Sequence, residues 1–169
     1  MGIINMDLSK YSVEDLLLSA LKSEVDSKEV YLKLAESVKN FFLKDRLKFL
    51  AGEEEKHRIF LESLFKKSLP GKDIKLPEKT PVPLPEIKIA DETLPISEIL
   101  LNAMDAEKAA QDFYSSLSER FKEETEVKKI LQYFASMEMG HYKILEVERN
   151  NALEFEQFDQ IWPMMHAGP

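Results

Sequence analysis

Two short motifs put a carboxylate and an imidazole where apolar side chains belong. From Leu131 to Leu145, the residues Leu131, Phe134, Ala135, Tyr142 and Leu145 recur at the three- and four-residue spacing of a buried helical stripe. Glu138 and His141 lie on that stripe. In LAGEEEKHRIFL, Glu54 and His57 stand in the same relation to Leu47, Leu50, Ala51 and Leu61. A carboxylate taken out of water alone is costly enough that it protonates or finds a counter-charge. Ligation of a metal would supply that charge.

Each motif has a partner further up the chain. When Glu24 is aligned with Glu107, Leu17 falls on Leu100, Ala20 on Ala103, Leu21 on Met104, Tyr31 on Tyr114 and Leu34 on Leu117. When Glu54 is aligned with Glu138, Leu47 falls on Leu131, Leu50 on Phe134, His57 on His141 and Leu61 on Leu145. The chain therefore carries an internal repeat. Each half supplies Glu-x6-Tyr on one helix and Glu-x-x-His on the next. The repeat also decides between neighbours: Glu53 could share a face with His57, but its counterpart is Met137, whereas that of Glu54 is Glu138.

Four glutamates gathered in a low-dielectric core repel one another strongly. Two divalent cations would cancel their charge, and two neutral imidazoles would complete the coordination. Residues three apart project to one helix face, so each Glu of a Glu-x-x-His pair can bridge two ions while its His binds one. This is the ligand layout of di-iron and di-manganese carboxylate bundles. Glu54 and Glu138 are candidate bridging ligands, and Glu24 and Glu107 candidate terminal ligands. His57 and His141 complete the set. Oxygen and imidazole donors without sulfur suit two iron ions, or manganese, with zinc as a substitute. Catalysis would run through these six residues and their metals. Tyr31 and Tyr114 would donate hydrogen bonds to the ligands or act as redox-active neighbours.

Such a site needs long helices side by side. Six of the eight prolines fall between Pro70 and Pro95, and the flanking halves show helical periodicity. The pattern predicts an all-α, four-helix bundle made of two antiparallel hairpins. Hairpin 1 spans about 12–67, a proline-rich crossover about 68–96, hairpin 2 about 97–151 and a tail 152–169, within one domain. Ser12 and Ser97 are the expected helix starts, the turns fall near Asn40 and Glu123, and helix 4 ends near Asn151. Phe155, Phe158, Ile161 and Trp162 predict a short docking helix in the tail. His166 reads as an ordinary surface histidine. In the runs EEEK and KEETE only Glu54 should turn inward. Gly52 and Gly140 predict close approach of neighbouring helices.

Composition limits the alternatives. A net charge of -8 argues against a nucleic-acid partner. With no cysteine, disulfides, zinc ribbons, iron–sulfur centres and thiol catalysis drop out. The opening MGIINMDLSK lacks the pattern of a signal peptide, and no apolar run would span a bilayer, so a cytoplasmic protein is expected.

In the motifs EVDSKEVY, EEKH, EKAAQDFY and EMGH, the sequence resembles the ferritin-like superfamily and, within it, the rubrerythrin-like proteins. The resemblance covers about Ser12 to Asn151. It implies a non-haem di-iron centre that reduces hydrogen peroxide with electrons from rubredoxin, commonly in a homodimer; the paired site itself, able to supply two electrons, makes dioxygen the other expected oxidant. Two departures stand out. Full-length rubrerythrins carry a cysteine-ligated rubredoxin domain, so here an external donor would be needed. They also add a glutamate three residues after the third-helix ligand, where this chain has Ala110. The remaining six-residue set is also that of bacterioferritins, which keeps ferroxidase and iron storage as an alternative. A non-catalytic helical interaction module is the third expectation.

Overall fold

The structure, a computed structural model, describes residues 6–82, 84 and 94–161. Four helices follow one another: α1 (Val13–Ser37), α2 (Phe41–Ser68), α3 (Ile96–Arg120) and α4 (Thr125–Ile161). The described residues contain no strand. Helix α1 packs on α2 and α3 on α4, and α2 also touches α4.

The helix ends follow local chemistry. Ser12 caps α1 through a reciprocal pair: its hydroxyl accepts from Asp15 N at 3.1 Å, and the Asp15 carboxylate accepts from Ser12 N at 3.2 Å. Asn40 turns the chain and caps α2, its side-chain oxygen accepting from Leu43 N at 3.1 Å. Past α2, Gly71 takes the left-handed backbone (φ 84°) that a side chain would resist.

Two boundaries depart from the sequence reading. Helix α3 begins at Ile96 with Pro95 at its cap, so Ser97 lies inside the first turn. Its amide and hydroxyl instead reach the Glu156 carboxylate of α4, at 3.1 and 2.6 Å. Helix α4 does not stop near Asn151 but runs unbroken for 37 residues. The asparagines at 150 and 151 keep helical backbone, Ala152 is buried, and the Ser97–Glu156 bonds tie the extension to α3. No separate tail helix exists within the described residues, and Phe155 and Phe158 are exposed rather than docked. Trp162 and His166 lie outside the described residues, as does the crossover at 83 and 85–93.

The buried apolar residues form two clusters, each drawing on all four helices. One contains Leu16, Leu61, Phe113 and Phe134, and the other Leu34, Leu47, Leu100 and Leu145. The first is sealed by Leu8 from the N-terminal segment and by Val82, whose amide donates to Ser19 Oγ on α1 at 3.3 Å. In sequence, Glu24, Glu54, Glu107 and Glu138 each fall between a stretch of one cluster and a stretch of the other. The polar groups thus occupy a layer between two apolar ones.

The helical glycines contradict their reading. A Cβ at Gly52 or Gly140 would meet nothing within 4 Å, so neither marks a close helix approach.

Candidate metal centre

The bundle brings the six candidate ligands together in that middle layer, and all six are buried. The antiparallel hairpins explain the height: Glu24 lies before the Asn40 turn about as far as Glu54 lies after it. Around His57 Nδ1 stand three carboxylate oxygens: Glu138 Oε1 at 3.0 Å, Glu24 Oε2 at 3.4 Å and Glu54 Oε2 at 3.4 Å. Around His141 Nδ1 stand Glu138 Oε2 at 3.1 Å, Glu54 Oε1 at 3.3 Å and Glu107 Oε2 at 3.5 Å. Glu54 and Glu138 each give one oxygen to either imidazole, whereas Glu24 and Glu107 each serve one.

Those distances fit a metal better than a hydrogen-bonded network. Apart from His141 Nδ1 with Glu138 Oε2, the close pairs lack hydrogen-bond direction. Glu54 Oε1, Glu138 Oε1 and both ring nitrogens of His57 have no hydrogen-bond partner despite full burial. Donors held at 2.0–2.2 Å from one ion would stand roughly 3.0–3.5 Å apart. Two four-residue groups meet that description, Glu24–Glu54–His57–Glu138 and Glu54–Glu107–Glu138–His141, with donor atoms all within 4.8 Å of one another in each.

Electrostatics divide the carboxylates the same way. Burial, then the charge of Glu54, pushes Glu24 and Glu107 well above the ordinary carboxylate range. Burial also acts on Glu54 and Glu138, but the histidine contacts outweigh it and hold both below that range. Burial works against a charged His57, yet its three carboxylates push it up to about 12, and His141 is raised in the same way. In the metal-free layer these directions favour protons on the two imidazoles and on Glu24 and Glu107, with Glu54 and Glu138 charged. Two divalent ions would replace those four protons without changing the charge of the layer.

The tyrosines cross between the halves. Tyr31 of α1 donates to Glu107 Oε1 of α3, and Tyr114 of α3 donates to Glu24 Oε1 of α1. Burial, then the nearby glutamate charge, raises both phenols well above their usual range, so each remains a donor. Each terminal glutamate therefore gives one oxygen to a tyrosine and the other to the centre.

The repeat is broken at one neighbour. Phe134 lies against His57, ring centroids 4.1 Å apart, and also meets Tyr114 and Phe60. Its counterpart across the repeat is Leu50. The spacing puts Phe134 on the stripe but gives it no part beside the histidine. Glu53 is also corrected: it is buried rather than solvated, and its carboxylate pairs with Lys56, outside the cluster.

An all-helical bundle of two hairpins enclosing a layer of buried carboxylates and histidines defines a ferritin-like protein of the two-metal carboxylate class. The family model described as Rubrerythrin matches residues 15–149, and the chain belongs to that family. A solved structure, "Hypothetical Protein Pfu-1136390-001 From Pyrococcus furiosus", is similar throughout. It is 35% identical with a TM-score of 0.80, over 91% of this chain and 98% of that one. No curated protein matches the chain. Among the described residues, no helix is long and apolar enough to cross a membrane.

Proposed function

We propose that this chain is a two-iron redox enzyme that reduces hydrogen peroxide or dioxygen with electrons from a separate donor such as rubredoxin. The observation that carries the reading is the sharing of Glu54 and Glu138 between two groups of one histidine and three carboxylates. Glu24, Glu54, His57 and Glu138 would hold one ion, and Glu54, Glu107, Glu138 and His141 the other. When bound, two adjacent ferrous ions would supply two electrons, which with two protons would take hydrogen peroxide to two waters or dioxygen to hydrogen peroxide, and the separate donor would restore the ferrous pair.

The protein's own groups serve that chemistry in three ways. Glu54 and Glu138, common to both groups, would hold the two positions next to each other, so that both electrons could be delivered at one place. Tyr31 and Tyr114 hold the terminal glutamates by one oxygen and carry protons at their hydroxyls beside the site. The two apolar clusters exclude bulk water on either side. A donor outside these residues is required because they contain no cysteine to hold an iron–sulfur centre.

The test is a stopped-flow experiment on iron-loaded protein reduced without oxygen. Addition of one equivalent of hydrogen peroxide should oxidise both irons and yield water, and a ferrous absorption baseline left unmoved by hydrogen peroxide and then by dioxygen would reject the reading. Accumulation of iron far beyond two ions per chain would mark a storage protein instead.

A further inference from the structure

The repeat puts small side chains on one side of the carboxylate layer. Ser23 and Ser27, one turn apart on α1, are the repeat counterparts of Ala106 and Ala110, one turn apart on α3. These four small residues line a cavity of about 10 Å³. That is room for about one water. Ser23, Ser27 and Ala110 are half-buried and Ala106 is buried, and the other four lining residues are the buried glutamates of the centre. Two of those, Glu54 and Glu138, carry the oxygens that have no hydrogen-bond partner, and they are 2% and 1% exposed. Small side chains therefore line the same cavity as the two glutamates that carry unpartnered oxygens. Beside His57, Phe134 and Phe60 occupy the α2 and α4 side, with centroids 5.2 Å apart.

We propose that the seam between α1 and α3 is the port to the metal centre, and that Ser23, Ser27, Ala106 and Ala110 set the size of what passes. A bare metal ion, dioxygen or hydrogen peroxide fits such an opening, whereas a hydroperoxide with a bulky organic group does not. The serine hydroxyls give a polar solute donors and acceptors on the way in. The selection among oxidants rests on the peroxide-reducing function proposed above. The passage itself does not.

Co²⁺ uptake by the metal-free full-length chain, followed by the ligand-field absorption of the bound ion, tests the port without any turnover. Ala110→Leu should slow uptake about tenfold or more, with two ions bound at the end and unchanged thermal unfolding. Ser27→Leu, acting from the facing helix, should do the same and serves if the first variant fails to fold. Wild-type uptake rates in a folded variant would overturn the port. In a second arm, the ferrous chain should be oxidised about a hundredfold faster by hydrogen peroxide than by cumene hydroperoxide; comparable rates would overturn the size selection. A ferrous chain inert to hydrogen peroxide and to dioxygen would refute the proposed function, while the Co²⁺ result would still decide the port.

Discussion

Tyr31 on the first helix hydrogen-bonds Glu107 on the third, and Tyr114 on the third returns the bond to Glu24 on the first. Each half of the repeat therefore fixes the terminal carboxylate of the other half. Because the phenol is fully buried, nothing can replace it when it is lost.

Tyr31→Phe should leave Glu107 Oε1 buried without a donor, costing about 1–3 kcal/mol of stability. It should also weaken the metal held with Glu107 and His141 by about 10–100-fold, leaving the ion beside His57 less affected. Denaturant unfolding together with a metal titration checks both effects. Equal weakening of the two ions would show that the crossed bond does not act on one position.

Glu54 and Glu138 stand in both ligand groups, whereas Glu24 and Glu107 stand in one each. Glu54→Ala or Glu138→Ala should therefore lose both metals, and Glu24→Ala only the ion beside His57. Metal content by elemental analysis distinguishes these outcomes. One metal retained in Glu138→Ala would remove the bridging role.

Much of this centre is legible in the sequence because a duplicated Glu-x-x-His on an apolar stripe puts charge where burial demands a counter-ion. The six clustered candidate positions, the Asn40 turn and the Ser12 cap all follow from spacing and side-chain chemistry. The crossing of the tyrosines does not, because periodicity gives the face of a helix but not which neighbour that face meets. The stacking of Phe134 on His57 is hidden for the same reason. The end of α4 is misplaced because two asparagines resemble a stop signal, whereas the tertiary tie between Ser97 and Glu156 carries the helix past them.

The glycine misreading has a measurable consequence. Gly52 sits in the interior of α2, exposed, with open space where a side chain would stand. Gly52→Ala should stabilise the fold by about 0.5–1 kcal/mol, through helix propensity and a less flexible unfolded chain. A higher midpoint in chemical denaturation, with metal content unchanged, is the expected result. A lower midpoint would mean that the residue is held for a contact not seen in this chain.

Protons and metals compete for one layer, and that fixes the pH dependence. His57 is raised from its ordinary value of 6.5 to about 12, so in the metal-free protein its contribution to folding is complete below about 6.5 and fades as pH climbs towards 12. Glu24 and Glu107, raised by burial, likewise favour the fold in their protonated form, and that contribution falls as pH rises above the ordinary carboxylate value. Glu54 and Glu138 have the opposite sign and weaken the fold only as pH drops below that value. Metal binding at this layer would replace the protons and remove the alkaline loss. The rise in Tm on adding Mn²⁺ should therefore grow from about pH 6 to about pH 8, and calorimetry in buffers of different ionisation enthalpy should show up to about four protons released per two ions. A Tm increment that stays flat across this range would mean that the buried histidines and carboxyls are not the groups the metal displaces.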